Sequence, residues 1–204
     1  MSGFFIFIET EVQMKFKFSI AILLFSIAFN ACAQSKTPIG LIETPLGNIY
    51  ISLSKETPQH LASFVQLAEA GYWDSLTFNR VIPDFVAQGG CPDTEEGFTD
   101  AEYLLNPEFD PNLTHIYGAV GAGRDNNPQK LSARCQFYIV HNKNGLHRLD
   151  GDYTVFGQVI KGMDVVDAIV KVNRDEKDEP LSPISLKVSI VYYTPEEIQG
   201  LQDK

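Results

Sequence analysis

Seven side chains carry thiol or imidazole chemistry: cysteines at 32, 91 and 135 and histidines at 60, 115, 141 and 147. No C-x-x-C pair occurs, and the histidines show no metal-ligand spacing, so neither a metal site nor a dithiol centre is expected. A solvent-facing or capping role is expected for each histidine. Cys91 and Cys135 fit either a disulfide or two buried thiols, because pairing depends on geometry that spacing does not supply. Arg80 sits between apolar stretches and, taken alone, reads as a surface cation in a salt bridge. Gln88, followed by Gly89-Gly90, reads alone as the end of a strand. The chain offers no convincing set of nucleophile, metal ligands or cofactor-binding residues, so any reaction it promotes should need none of them.

The elements that must position these residues are mostly strands. Ile39 and Leu41 alternate, Thr44-Pro45-Leu46-Gly47 offers a turn, and Ile49, Ile51 and Leu53 alternate again, which predicts a hairpin. Thr57 followed by Pro58 reads as an N-cap and first helical position. Leu61, Phe64, Val65 and Ala68 then recur at helical spacing, as a core stripe, until Gly71. Short apolar runs return at Thr77–Ile82, Phe85–Gln88, Ala119–Ala122, Phe137–Val140 and Val155–Ile160. A second helix is predicted near Asp164, with Met163, Val166, Ile169 and Val170 inward, and a last strand through Val188, Ile190 and Tyr192. Many short strands, with one helix early and one late, predict a mainly β fold: a closed barrel whose ends the helices cover. Residues 92–116 form the longest irregular stretch, of a length that is commonly functional or packed on itself.

The amino-terminal region reads differently. Lys15 and Lys17 after Met14, an apolar run from Phe18 to Phe29 and small residues at 31–33 are the parts of a secretory signal. The run is too short to span a bilayer as a helix. Glu9 and Glu11 suit a signal's basic end badly, which points to Met14 as the start. Phe29-Asn30-Ala31-Cys32 resembles a loose bacterial lipobox with Cys32 as the lipidated residue; Ala31-Cys32-Ala33 also fits ordinary cleavage before Gln34. The expected organisation is an extension and signal over 1–33, a tether over 34–38, one domain over 39–195 and a tail over 196–204. The expected location is the bacterial periplasm or outer membrane, with membrane contact only through the lipid. Net charge is −10, and removing residues 1–31 takes away two acids and two bases, so it stays there. That balance disfavours nucleic acid as a partner, and nothing suggests a dimer seam, so a monomer is expected.

Four segments carry a resemblance. Phe78-Asn79-Arg80-Val81-Ile82-Pro83-Asp84-Phe85-Val86-Ala87-Gln88-Gly89-Gly90 resembles the signature of the cyclophilin family of peptidyl-prolyl isomerases. Gly118–Arg124, Cys135–Val140 and Leu149–Gly157 follow in that family's order. The resemblance spans roughly residues 39 to 192 and implies an eight-stranded antiparallel barrel capped by two helices, with the active surface on its outer face. It places Arg80 as the catalytic arginine and Phe85, Val86, Tyr138 and Leu149 around a proline pocket. Gln88 and Gln136 would contact the substrate backbone, and Gly123 and Arg124 would lie where the residue before proline binds. Tyr153, where many relatives have histidine, keeps a ring and a hydroxyl at the site. No cofactor is implied, and the partners are proline-containing unfolded or flexible polypeptides.

This chain departs from the pattern at several places. Asn79 stands where many relatives have histidine, and Arg148 stands where a tryptophan often binds cyclosporin, so weak affinity for that drug is expected. Tyr138 in place of a pocket phenylalanine adds a hydroxyl that must reach water or a partner. Cys135 replaces a small hydroxyl residue beside Gln136. A non-catalytic module that only holds proline segments is the competing reading, as is a scaffold at the membrane with Arg80 incidental.

Overall fold

The computed structural model describes residues 35–74, 76–91 and 104–203. The signal segment, Cys32 and its expected lipidation, and most of the acidic part of the 92–116 stretch lie outside the described residues. Strand β1 (Thr37–Thr44) turns at Pro45-Leu46 into β2 (Gly47–Leu53), in the register Leu41 opposite Tyr50. The barrel-facing row of β1 is Gly40 and Ile42, while Ile39, in the alternate row, is also fully buried and Leu41 is half-buried. Gly40 is required there because the Phe64 ring of the first helix lies against it.

Helix α1 (Pro58–Glu69) buries Phe64 and Ala68 of the predicted stripe and also Leu67, while Leu61 and Val65 are partly buried against the core. Thr57 occupies the N-cap position but makes no capping bond. The Glu108 carboxylate does so instead: Oε1 accepts from the Gln59 amide at 3.0 Å and Oε2 from the His60 amide at 3.0 Å. A negative group at a helix start also suits the helix dipole. The strands β3 (Thr77–Ile82), β4 (Val86–Gly90), β5 (Leu104–Leu105), β6 (Ala119–Ala122), β7 (Ser132–Ala133), β8 (Gln136–Val140) and β9 (Val155–Lys161) follow. Helix α2 (Met163–Val170) buries Val165, Val166, Ile169 and Val170. It leads to β10 (Ile184–Ser185), β11 (Lys187–Tyr193) and a third helix, α3 (Pro195–Gln202). Helix α3 occupies the stretch read as a tail; Thr194 and Glu197 close a capping box at its start.

The main sheet runs β10-β3-β4-β8-β6-β9-β2-β1-β11, and every pairing is antiparallel. Its two edge strands, β10 and β11, are separated by Leu186 alone, whose amide donates to the Leu76 carbonyl at 3.1 Å. One kinked segment therefore pairs with β3 at one end and β1 at the other, and the sheet curls into a barrel. Counted as one strand, β10 and β11 make the main sheet eight-stranded; β5 and β7 pair separately. Closure leaves few unpaired edges.

The barrel interior is filled by one cluster that includes Phe64, Trp73, Phe78, Phe137 and Phe156. A second, smaller cluster of Val86, Ala119, Tyr138, Val140, Leu146 and Val155 lies outside it. Along β8 the two sets alternate: Phe137 and Ile139 belong to the first, Tyr138 and Val140 to the second. The candidate site is built on that second cluster.

Candidate active site

Arg80 reaches the outer face through an irregularity. The β3–β4 register shifts between Phe78 and Arg80, leaving Asn79 as an extra residue. In a regular strand Arg80 would share a face with Phe78, which is 1% exposed in the barrel core. The bulge reverses the phase, so Val81 enters the core and Arg80 faces out. Beyond the bulge, register aligns Arg80 with Gln88, Gln88 with Tyr138 and Tyr138 with Gly121. Four strands thus place one row of residues across the outer surface.

Around this row lies a cavity of about 330 Å³, lined by Arg80, Phe85, Val86, Gln88, Gly123, Arg124, Gln136, Tyr138, Arg148, Leu149 and Tyr153. It brings together all ten site residues expected from the resemblance, and it adds Arg148. Two glycines make room. A Cβ on Gly121 would fall on the Tyr138 ring, and one on Gly123 would fall on the Gln136 side-chain amide.

The three arginines differ in their commitments. The Arg80 guanidinium makes one long hydrogen bond, to Gln88 Oε1 at 3.4 Å, and stands 5.6 Å from the centre of the Phe85 ring. Among the described residues no carboxylate pairs with it, so the salt bridge that its position alone suggested has no partner there. Arg124 is held fast: it donates to the Asp152 and Asp125 carbonyls, pairs with the Asp152 carboxylate at 3.1 Å and lies 4.3 Å over the Tyr153 ring. Its guanidinium is a fixed wall. Arg148 lies 5.0 Å over Phe85, so two guanidiniums stand near that one ring.

Gln136 is 4% exposed and is held from behind. Its side-chain amide donates to the Cys91 carbonyl at 3.2 Å, as does Asn79 at 3.3 Å. Cys91 and Cys135 form a disulfide with Cα atoms 5.4 Å apart, so they are paired and not two free thiols. The bridge joins the end of β4 to the residue that precedes Gln136. Trp73 adds an indole hydrogen bond to the Cys135 carbonyl at 2.9 Å.

Tyr138 finds its partner in His115, which sequence reasoning did not place at the site. The Tyr138 hydroxyl is 2.7 Å from His115 Nε2, and His115 Nδ1 is 2.7 Å from Asp150 Oδ1. Burial pushes the His115 imidazole below its ordinary value, against the pull of Asp150. The neutral ring therefore donates from Nδ1 to Asp150 and accepts the tyrosine proton at Nε2. Burial also raises the Tyr138 hydroxyl well above its ordinary value, so it stays a donor. His60 and His141 are likewise buried, against Glu108 and Asp167. Only His147 is exposed as expected. Each buried ring satisfies a carboxylate far away in sequence, which spacing does not reveal. His141 also accepts from the Asp84 amide at 3.0 Å and so fixes the turn before Phe85. Among the described residues no cluster of three His, Cys, Asp or Glu side chains is arranged to hold a metal ion.

A groove on the outside of a closed antiparallel barrel, with apolar walls, two glutamine side chains and an arginine that has no carboxylate partner among the described residues, has the form of a peptide-handling site. The profile described as "Cyclophilin type peptidyl-prolyl cis-trans isomerase/CLD" matches residues 40–190. A peptidyl-prolyl cis-trans isomerase of Acinetobacter baylyi is 32% identical over 183 residues, 84% of this chain and 96% of that protein. One of Helicobacter pylori is 37% identical over 142 residues, 66% of this chain and 82% of that protein. Among solved structures, a cyclophilin-type isomerase of Cryptosporidium parvum, crystallised in the presence of the dipeptide Ala-Pro, superposes with a TM-score of 0.66 at 25% identity. That match covers 76% of this chain and 99% of that one. The chain belongs to the cyclophilin-type peptidyl-prolyl cis-trans isomerase family, and the activity of that family, rotation about X-Pro bonds, is its activity.

Proposed function

We propose that this isomerase acts on exported polypeptides as they fold, and that Arg80 stabilises the twisted state of the X-Pro bond. An X-Pro bond prefers trans by only ~0.5–1 kcal/mol but exchanges over tens to hundreds of seconds. Twisting breaks amide resonance, which sets a barrier of roughly 18–20 kcal/mol. At the twisted point the proline nitrogen recovers its lone pair and accepts a hydrogen bond that the planar amide hardly accepts. A guanidinium aimed at that nitrogen binds the transition state better than the ground state, which is the requirement for catalysis. Arginine keeps its charge and holds its donors in a fixed plane.

The observation that carries this reading is the state of Arg80: half-buried, turned outward by the bulge, without a carboxylate partner among the described residues and beside an apolar-walled cavity. Phe85, Val86, Tyr138 and Leu149 would hold the proline ring and strip water from the amide. Gln88 and Gln136 would align the peptide backbone, and Gly123, Arg124 and Tyr153 would close the far wall. The Ala-Pro dipeptide present with the Cryptosporidium relative supports a proline-containing ligand. A charge-assisted hydrogen bond contributes about 1.5–3 kcal/mol, or roughly ten- to a hundredfold in rate.

Exchange of an Ala-Pro-Phe peptide, followed by NMR, tests the assignment. Arg80→Ala should slow the catalysed exchange by roughly ten- to a hundredfold. Equal acceleration by parent and variant would remove Arg80 from the mechanism, and no acceleration by the parent would leave only a proline-binding module. The export reading rests on the signal-like segment ending at Cys32. Mass spectrometry of the protein from cells should find lipid on Cys32, and an unmodified start at Gln34 would replace the anchor with a soluble periplasmic form.

A further inference from the structure

We infer that this site prefers prolines flanked by an acidic side chain, with Arg148 as the group that recognises the carboxylate. The inference rests on the isomerase reading of the cavity and adds a substrate class to it. Three guanidiniums line one cavity of about 330 Å³ in a chain whose net charge is −10. Arg124 is paired with Asp152, which also takes Lys130 at 3.0 Å. Arg80 and Arg148 have no carboxylate within ion-pair distance among the described residues. The nearest acid in sequence to Arg148 is Asp150, and its two oxygens are occupied by His115 and His147.

Arg148 is exposed, yet its position is set by contact. It follows His147 on the short 3₁₀ turn His147–Leu149, and its guanidinium lies 5.0 Å over the face of Phe85. Leu149, the next residue, lines the cavity too. Stacking on the ring leaves the edge donors of a guanidinium free to meet a carboxylate, a geometry arginine tolerates well. A peptide seated over Phe85 would pass beneath this charge. An acidic side chain beside the proline would gain an ion pair there, and a lysine would meet two guanidiniums that no carboxylate among the described residues pairs.

Dissociation constants from NMR titration, which need no turnover, test the inference. The probes are Ala-Ala-Pro-Ala-Ala and its variants with Glu or Lys at the residue before or after proline. For the parent, Glu on one side of the proline should bind about two- to fivefold more tightly than Ala at low salt, the size of a solvent-accessible ion pair, and Lys more weakly. The Glu-to-Ala ratio should shrink at high salt. It should fall to about one in Arg148→Gln and invert towards Lys in Arg148→Glu. A parent ratio near one at both positions, or a ratio that survives Arg148→Gln, overturns the inference. Binding of the Ala peptide without faster exchange would instead sink the isomerase reading while the ratio still decides this one.

Discussion

Tyr138 and His115 show how a single added oxygen is accommodated beneath a binding surface. The ring of Tyr138 faces the cavity, and its hydroxyl is buried at 2.7 Å from His115 Nε2. Replacing Tyr138 by Phe keeps the ring but leaves a buried acceptor without its proton, a loss of about 1–3 kcal/mol. His115→Leu strands the hydroxyl and leaves Asp150 Oδ1 with only the backbone amide of residue 115, at a similar cost. Together the two changes remove both ends of the bond, so the double variant should be less destabilised than the sum. We expect a coupling of about 0.5–3 kcal/mol in urea denaturation. Strict additivity would mean that the hydroxyl and the imidazole do not depend on each other.

At the level of elements, the site depends on close approaches between strands. Gly123 lies beneath the Gln136 side chain, and any Cβ there collides with it. Gly123→Ala should therefore fold but move Gln136, weakening peptide binding by about tenfold, or ~1.4 kcal/mol, as read by NMR titration. Unchanged affinity would show that Gln136 is not needed where it stands. The disulfide works on the same residue from the other side, since the Cys91 carbonyl accepts from Gln136. It spans a sequence separation of 44 residues, and its loss should lower stability by about 2–4 kcal/mol. The Cys91→Ser/Cys135→Ser variant should unfold at correspondingly lower urea, and its Gln136 side-chain amide resonances should shift. An unmoved midpoint would mean that the barrel holds this loop without the bridge.

Over the whole molecule, buried histidine–carboxylate pairs tie α1, α2 and the 3₁₀ turn to residues distant in sequence. His60 and His115 are held below their ordinary value by burial, in spite of Glu108 and Asp150. As pH falls below about 6.5 the unfolded chain takes up protons that these folded rings refuse, so stability should fall. Glu108 and Asp150 add to the trend. Burial alone would raise them, but hydrogen bonds from Gln59 and His60 to the first, and from His115 and His147 to the second, bring both down. Their contribution is present above roughly pH 4.5 and is lost as pH falls further. The urea midpoint should be flat above about pH 7 and decline in two stages towards acid. A midpoint that rises between pH 7 and 5.5 would mean that the imidazolium forms are the ones the fold prefers.

The order and type of strands, the two core helices and the ten residues now gathered at one cavity were legible in the sequence. Local alternation reports which side chains are buried, and four short segments with particular residues at particular spacing carry the resemblance. Tertiary structure decided the rest, because the remaining features depend on pairing across the chain. The bulge at Asn79 that turns Arg80 outward exists only relative to β4. Thr57 looked sufficient as a cap until Glu108, 48 residues from His60, proved to occupy that place. Cys91 meets Cys135, and His115 meets Tyr138 and Asp150, only after the barrel closes. A linear pattern records what a residue prefers; which partner satisfies a buried thiol, imidazole or amide is fixed by the closed sheet that brings them within reach.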